Sequence, residues 1–354
     1  IYCAGSTVPS IVFTGNATGA TYSWSRTVPT PDIGLAPTAG TGSIPSFTAT
    51  NTGTTPITST FSVVATFTNN GVTCTGAPIT FTITINPTPQ VNAVTSQTYC
   101  AGAVVPSIVF AGNVPGAVYS WSRTTEAIGL GVNSGTASVP SFTATNTGAT
   151  HLTSTFQVTP SYTNGGLTCT GTPITFTITV NPVPTINAVA NLTYCAGSTV
   201  PSVVFTSNVP GVVFNWSRTA AAIGLAPTTG TGSVPTYVAT NAGSTPISST
   251  FTATASYTNN GVTCTSAPIT FTITVNPTPV IAPVPNQTYC ASGNIPPTFF
   301  TSNVPAAVYT WSRSGDDIGL GPVSGTGPIP SFVGVNNTTG PLTATFTVVA
   351  TYSN

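Results

Sequence analysis

The sequence is almost without charge. Its 354 residues include four arginines, four acidic residues, one histidine and no lysine, so the net charge is zero. Nucleic acids are bound through clustered Lys and Arg side chains, and this composition therefore excludes a nucleic-acid partner. Ionisable groups are too sparse for paired acid–base catalysis, and four scattered acids cannot supply the roughly six to eight oxygens that calcium requires. We predict a chain that is no enzyme and holds no metal or cofactor.

Long apolar runs are also missing. No stretch approaches the ~18 consecutive apolar residues of a membrane-spanning helix, so we predict no such segment in this sequence. Low charge alone would suggest disorder, but 40% of the residues are hydrophobic and these are patterned. The 34 glycines and 33 prolines that interrupt them leave little room for helices.

A cysteine followed by alanine recurs four times, at intervals of 97, 95 and 95 residues, and each copy is followed 21 residues later by a tryptophan in Trp-Ser-Arg. This period is too long for helical or propeller repeats and fits a whole β-sandwich domain. The motif residues are Cys3, Trp24 and Arg26; Cys100, Trp121 and Arg123; Cys195, Trp216 and Arg218; and Cys290, Trp311 and Arg313. We predict four repeats, at 1–87, 88–182, 183–277 and 278–354. Both ends fall inside a repeat, so we expect the sequence to be part of a longer chain.

A second set of cysteines lies 71, 69 and 69 residues after the first three. Cysteines in a fixed register indicate disulfides and an oxidising, extracellular setting. We favour pairing within each repeat, because a domain that folds alone gains most from its own disulfide; the partner of Cys290 would then lie beyond the end of the sequence. Pairing across each junction, at a constant 26 residues, stays open as the alternative. The favoured pairs are Cys3–Cys74, Cys100–Cys169 and Cys195–Cys264; the alternatives are Cys74–Cys100, Cys169–Cys195 and Cys264–Cys290.

Alternation of apolar and polar residues predicts β-strands. Residues 79–85 alternate Ile or Phe with Thr, which is the pattern of a half-buried strand. Residues 61–67 show a second such face, and the intervening Asn70-Gly71 is a strong hairpin signal. We predict that each repeat is an antiparallel β-sandwich of about seven strands. Each junction reads Asn-Pro-x-Pro, at 86–89, 181–184 and 276–279, which favours an extended, semi-rigid connection.

The Trp-Ser-Arg motif has two interpretations. In the structural one, the tryptophan fills the core beside the disulfide and the arginine donates hydrogen bonds to loop carbonyls at the end of the sheet. In the functional one, the two side chains form a surface patch for a glycan or an anion. We favour the structural interpretation. Repeats 1, 2 and 4 have acidic residues near the arginine, whereas repeat 3 has alanines at this place. A salt bridge therefore cannot be common to all four repeats. The acids are Asp32, Glu126, Asp316 and Asp317; the sole histidine, His151, is replaced by proline in the other repeats and receives no catalytic role.

Several motifs together resemble a known family. They include Tyr-Cys-Ala-Gly, Tyr-Ser-Trp-Ser, Ile-Gly-Leu, Pro-Ser-Phe-Thr-Ala-Thr-Asn and Pro-Ile-Thr-Phe-Thr-Ile-Thr. They are similar to PKD-like, immunoglobulin-like repeats of very large surface adhesins of Bacteroidota, including gliding-motility adhesins exported by the type 9 system. The resemblance implies a tandem array of immunoglobulin-like domains, extracellular and attached to the outer membrane of a Gram-negative cell. The Asp-rich turn that follows the tryptophan in ordinary PKD domains is missing here.

Three functions are compatible with such an array. The first hypothesis is a non-enzymatic stalk that projects a distal adhesive region and transmits force in surface attachment or gliding. The second is a self-assembling extracellular filament or sheath, and the third is a multivalent glycan-binding array. The corresponding partners are neighbouring surface proteins, other copies of the chain, and polysaccharide.

Overall fold

The structure is a computed structural model that describes residues 1–353, so Asn354, the last residue of the predicted fourth repeat, lies outside it. Within the described residues the regular structure consists of β-strands, which confirms the all-β class. The chain divides into two compact units. The first comprises residues 1–182 and 259–262, and the second comprises residues 183–258 and the residues from 263 onward.

Repeat 1 has one large sheet and one small one. The large sheet has the order β1-β8-β6-β3-β4, with β7 paired to the far end of β6, and β2 pairs with β5 in a second layer. The core lies between the two layers. The strands are β1 Tyr2–Cys3, β2 Thr7–Val8, β3 Thr21–Arg26, β4 Ala39–Thr41, β5 Phe47–Thr48, β6 Ile57–Asn69, β7 Val72–Thr75 and β8 Ile79–Asn86.

Repeat 2 has the same arrangement. Its large sheet runs β13-β12-β16-β18-β9 with β17 paired to β16, and β10–β15 and β11–β14 form the second layer. The strands are β9 Gln97–Cys100, β10 Val104–Val105, β11 Ile108–Val109, β12 Val118–Arg123, β13 Ser134–Thr136, β14 Ser138–Val139, β15 Phe142–Thr143, β16 Leu152–Asn164, β17 Leu167–Thr170 and β18 Ile174–Asn181.

Repeats 3 and 4 continue the pattern. In repeat 3 the large sheet runs β19-β26-β24-β21-β22, and in repeat 4 three strands form the sheet β29-β28-β31. The strands are β19 Leu192–Cys195, β20 Thr199–Val200, β21 Val213–Arg218, β22 Thr229–Thr231, β23 Tyr237–Val238, β24 Ile247–Asn259, β25 Val262–Thr265, β26 Ile269–Asn276, β27 Asn294–Ile295, β28 Val308–Gly315, β29 Ser324–Thr326, β30 Phe332–Val333 and β31 Ala344–Thr351. Each large sheet lies within one of the four predicted repeats.

A row of aromatic rings fills each core. In repeat 1, Phe61 on β6 lies directly opposite Phe81 on β8, and their rings stack with centroids 5.1 Å apart. Trp24 packs on Phe61 at 6.1 Å, and Phe13 joins Phe81 to Tyr22 at the other end. The alternation of apolar and polar residues places the rings of Phe61 and Phe81 on one face of the sheet. The corresponding stacked pairs are Phe156–Phe176 and Phe251–Phe271.

The hairpin between β6 and β7 forms where the sequence predicts it. Asn69 pairs with Val72, which leaves Asn70 and Gly71 as the two loop residues, with φ of 52° and 76°. Positive φ at both positions is the property of the type I′ turn, which suits the twist of antiparallel strands. Gly165-Gly166 and Asn260-Gly261 have the same conformation in repeats 2 and 3.

One strand pairing differs from the prediction of a wholly antiparallel sandwich. β1 runs parallel to β8, with Tyr2 opposite Ile85 and Cys3 opposite Asn86. The same parallel pairing recurs for β9 with β18 and for β19 with β26. Parallel neighbours need a long connection between them, and nearly the whole repeat supplies it. The first strand of a repeat therefore ends beside the end of its last strand.

Candidate functional site at the junction between repeats

The chain passes from repeat 1 to repeat 2 through three residues. β8 ends at Asn86, and the backbone N–H of Gln90 already donates to Oδ1 of Asn113 in repeat 2, at 2.7 Å. Between them, the Thr88 hydroxyl donates back to the Ala4 carbonyl of repeat 1 at 3.0 Å. Pro87 and Pro89 restrict the remaining torsions. The connection is therefore short and bonded to both repeats.

Two asparagines form a reciprocal contact across this junction. Asn86 is fully buried; its Nδ2 donates to the Asn164 carbonyl at 3.2 Å and its Oδ1 accepts from Asn164 Nδ2 at 2.9 Å. Asn164 lies at the tip of the repeat 2 hairpin. The same pair recurs within the first unit, between Asn181 and Asn259, at 3.2 and 2.9 Å. A buried amide that lost such partners would cost about 1–3 kcal/mol, so the contact fixes the position of the hairpin on the preceding repeat.

A disulfide crosses the same junction. Cys3 of repeat 1 is bonded to Cys169 of repeat 2, 166 residues away, with a Cα–Cα distance of 5.5 Å. Cys100 and Cys264 are each disulfide-bonded as well, whereas Cys74, Cys195 and Cys290 are free and exposed. By the chain-entropy estimate, closing a loop of this length contributes on the order of 5 kcal/mol.

The predicted pairs Cys3–Cys74, Cys100–Cys169 and Cys195–Cys264 are therefore wrong, and so is the alternative set of adjacent pairs. The physical reason lies in the strand directions. β1 ends beside Asn86, at the distal end of the repeat, from which the connection leaves. β7 pairs with the last residues of β6, and β6 runs antiparallel to β8, so Cys74 lies at the opposite, proximal end.

Ten residues of β6 separate these two ends, which amounts to about 34 Å at roughly 3.4 Å per residue. A disulfide cannot bridge more than about 7 Å between Cα atoms. The cysteine that does reach Cys3 is the proximal cysteine of the next repeat, Cys169. The disulfide therefore lies at the junction and not in the core beside Trp24.

The arginine of the Trp-Ser-Arg motif closes the loop that follows its strand. Nε of Arg123 donates to the Val132 carbonyl at 2.9 Å, Nη1 to the Thr124 and Glu126 carbonyls at 2.9 Å each, and Nη2 to the Leu130 carbonyl at 2.6 Å. Burial lowers the pKa of the Arg123 guanidinium. Five fixed N–H donors make a guanidinium well suited to a ring of carbonyls.

Arg26 and Arg218 have equivalent carbonyl partners in repeats 1 and 3. Arg218 donates to the carbonyls of Pro227, Thr219, Ala221 and Leu225, and no acid lies in that loop. In repeat 1, Arg26 also contacts Asp32 at 2.9 Å, and this hydrogen bond lowers the pKa of the Asp32 carboxyl. Carbonyl partners are thus common to repeats 1 to 3, whereas the acidic partner is not.

The tryptophans of the motif are core residues. Their exposure is 3–4%, and each indole lies under a glycine of the neighbouring strand, where an added Cβ would come within 3 Å of the ring. A glycan therefore has no exposed indole to stack on at these positions. The geometry fits the structural interpretation of the motif. The four indoles and their glycines are Trp24 with Gly40, Trp121 with Gly135, Trp216 with Gly230 and Trp311 with Gly325.

The remaining candidate residues do not come together. His151 is an exposed residue immediately before β16. Among residues 1–353, no three His, Cys, Asp or Glu side chains are grouped so as to hold a metal ion. In the same range, no helix has the length and apolar character needed to cross a membrane.

Residues 97–184 match the family model of the PKD-like domain. No curated protein matches the sequence. Among solved structures, the chain is similar to mouse cadherin-23 EC22–24, at 10% identity and a TM-score of 0.32 over 75% of this chain and 89% of that one. It is also similar to the eight N-terminal Ig domains of the Down syndrome cell adhesion molecule, at 11% identity and 0.30 over 100% and 67%. Sidekick-1 immunoglobulin domains 1–4 give 13% and 0.25 over 98% and 94%.

The fold and the repeated junction define the class of protein. It is a tandem array of β-sandwich domains, of which residues 97–184 match the PKD-like domain. Successive domains in the first unit are joined by a short proline connection and an asparagine pair, and repeats 1 and 2 by a disulfide as well.

Proposed function

We propose that the chain is a non-enzymatic structural stalk of a large extracellular adhesin, and that it carries tension between a cell surface and a distal adhesive region. The disulfide between Cys3 and Cys169 carries this proposal, because it joins two successive repeats and not the two layers of one. The bond also favours an extracellular location, where disulfides persist. Attachment to the outer membrane of a gliding Bacteroidota cell and export by the type 9 system rest on the sequence resemblance.

The disulfide changes the path that a pulling force takes. Tension that reaches Cys3 passes through the sulfur–sulfur bond to Cys169, so it bypasses the residues between Cys3 and Cys100. At up to about 3.6 Å per residue, this bypassed segment holds back on the order of 350 Å of chain if its domain unfolds. A stalk built in this way keeps its length when a single domain opens.

The asparagine pair and the proline connection also hold repeats 1 and 2 together, in addition to the disulfide. Two hydrogen bonds join Asn86 and Asn164, and Thr88 binds the connection to repeat 1. Bending at the junction would break these contacts and expose buried amides. The junction therefore resists bending as well as extension.

Single-molecule force spectroscopy on the 354-residue protein, held at its two ends, tests the proposal. With Cys3→Ser, the extension released on complete unfolding should grow, since this loop is no longer closed; the gain is smaller than the full length of the loop, because Cys100 within it is also disulfide-bonded. Cys74→Ser is the matched control, because Cys74 is free, and it should leave the extension unchanged. Equal extensions for wild type and Cys3→Ser would overturn the proposal.

A further inference from the structure

The outer face of the large sheet in repeat 3 carries a shallow groove. Strands β22, β21 and β24 lie side by side in that order, with β22 at the edge. The side chains on the face opposite the core line a groove of about 400 Å³, and Trp216 and Gly230 form its floor. Sites for small ligands have volumes of roughly 300–1,000 Å³. We call this surface the hydroxyl groove; its six polar residues are Asn215, Ser217, Thr229, Thr231, Thr252 and Thr254.

The strand register arranges the hydroxyl groove in two rows, each with one residue from each of the three strands. The rows are Thr231–Asn215–Thr254 and Thr229–Ser217–Thr252. Since neighbouring strands lie about 4.8 Å apart and the rise is about 3.4 Å per residue, the two rows cover about 10 by 7 Å, which is the size of one or two sugar rings.

The polar groups of the hydroxyl groove are not used within the protein. Among residues 1–353, none of the six side chains makes a hydrogen bond to another part of the chain. Elsewhere on the same sheet the hydroxyls pair across strands, as Ser248 does with Thr274 at 2.8 Å and Ser256 with Thr265 at 3.3 Å. The groove therefore offers donors and acceptors that are open to a ligand.

The complete set of polar residues is a property of repeat 3 and not of the repeat pattern. At the equivalent positions repeat 1 has Ala39 and Val64, repeat 2 has Gln157, and repeat 4 has Val349. Alanine and valine have no polar group in the side chain, and the longer glutamine takes up room above the sheet. Repeat 3 alone has a short hydroxyl or amide side chain at all six positions.

The absence of charge restricts the ligand. Among residues 1–353, those that line the groove include no charged side chain, and Arg218 on the same strand donates its guanidinium hydrogens to carbonyls of the following loop. An ionic ligand would lose hydration here without gaining a counter-charge. A neutral carbohydrate fits better, because its hydroxyls both donate and accept hydrogen bonds, as those of Ser and Thr do, and its C–H groups can contact the threonine methyl groups.

We propose that the hydroxyl groove binds a neutral polysaccharide. The amide of Asn215 and the hydroxyls of the two rows donate hydrogen bonds to the sugar hydroxyls and accept hydrogen bonds from them. This site differs from the surface patch considered for the Trp-Ser-Arg motif, because it lies on the opposite face of the sheet from the indole and needs no aromatic ring. It gives the array a lateral contact with polysaccharide at one repeat, in addition to any adhesive region at its distal end.

Depletion of the 354-residue protein from solution by insoluble polysaccharides tests the proposal. Microcrystalline cellulose, chitin and starch granules are the neutral probes, and cross-linked alginate is the charged one. We expect saturable binding to at least one neutral probe and none to alginate. Failure to bind any of the three neutral probes, or equal binding to alginate, would overturn the proposal.

Two double variants locate the binding on the sheet. Thr252→Val with Thr254→Val keeps the shape of both side chains but removes their hydroxyls, so it should weaken binding at least about fivefold through the loss of two hydrogen bonds. Thr250→Val with Thr272→Val is the matched control, because these two residues lie opposite each other on the same sheet but outside the groove. The control should bind as the wild type does.

Equal losses of binding in the two double variants would contradict the proposal, because the whole hydroxyl-rich surface and not the groove would then be responsible. Melting temperatures of both variants show whether the sheet stays folded. The stalk proposal does not depend on this result, since it rests on Cys3 and Cys169 and is measured as extension.

Discussion

Cys3 and Cys169 face each other across the junction between two repeats, at the distal end of one and the proximal end of the next. Each belongs to a domain with its own core, so the bond adds nothing to the packing of either core. Instead, the disulfide links the stability of repeat 1 to that of repeat 2. A repeat that opens stays tethered to a folded one, so the effective concentration for re-forming the contacts between them stays high. This link stabilises a tandem array of small domains, because a single domain of this size is only marginally stable.

The asparagine pair gives the first prediction. Asn164→Ala removes the hydrogen bond that Asn164 Nδ2 donates and leaves the buried Oδ1 of Asn86 without this partner, while the bond from Asn86 Nδ2 to the backbone carbonyl of residue 164 remains. We therefore expect a loss of about 1–3 kcal/mol in the free energy of unfolding. Urea denaturation followed by tryptophan fluorescence measures it. Asn69→Ala is the matched control, because Asn69 has the same position in repeat 1 but is exposed, and it should change the stability by less than about 0.5 kcal/mol. Equal losses at both positions would show that the asparagine serves the hairpin and not the junction.

The strands and hairpins follow closely from the sequence, because each signal is local. Alternation with period two decides which side chains of β8 are buried, and Asn70-Gly71 decides the turn. The sequence also allowed the hydrogen bonds of Arg123 to loop carbonyls to be predicted. A charged residue one step beyond a buried tryptophan on the same strand must reach polar groups at the end of the sheet. Local chemistry is enough for such inferences.

The disulfide pairing could not be reached in this way. The gain that a domain folding alone draws from its own disulfide favours Cys3–Cys74. Which end of the repeat each of the two cysteines occupies, however, depends on the parallel placement of β1 beside β8. That placement is a contact between the first and last strands of a domain, and no turn or periodicity specifies it. Asn86 and Asn164 were missed for the same reason, because nothing within one repeat shows what the next repeat contacts. The recurrence of asparagine before each Pro-x-Pro was the available signal.

A second prediction concerns Ala137. Its φ is 67°, in the left-handed region, whereas Gly42, Gly232 and Gly327 occupy the same position in the other repeats with φ of 72–74°. A residue with a Cβ costs roughly 1 kcal/mol in this conformation relative to glycine. Ala137→Gly should therefore raise the free energy of unfolding of repeat 2 by about 0.5–1 kcal/mol, as measured by urea denaturation. Gly232→Ala should produce the opposite change in repeat 3, and a stabilised Gly232→Ala variant would contradict the explanation.

The third prediction separates the two interpretations of the Trp-Ser-Arg motif. Arg123→Ala leaves several loop carbonyls without a donor, so we expect a loss on the order of 3 kcal/mol and a lower melting temperature. Arg123→Lys should recover little of this, because an ammonium cannot reproduce the planar set of donors. Calorimetry of the two variants measures both effects. Unchanged melting with a loss of glycan binding on an array would favour the surface-patch interpretation instead.

The last prediction is a pH dependence located at Tyr237 on β23. Burial raises the pKa of its hydroxyl to about 12, and the hydroxyl has no hydrogen-bond partner among residues 1–353. An unfolded tyrosine ionises near 10, as estimated from model peptides, so the folded state favours the neutral form. Its contribution to stability is complete below about pH 10 and is lost as the pH rises from there through 12.

Tyr237→Phe should remove this alkaline loss. Phe47, Phe142 and Phe332 occupy the same position in the other repeats, so the ring alone fits the site. Because the substitution also removes a buried hydroxyl without a partner, the stability at pH 7 should stay equal or rise by about 1 kcal/mol. Urea denaturation at pH 7, 10 and 11 compares the variant with the wild type. If both lose the same stability between pH 10 and 11, the ionising group that matters lies elsewhere.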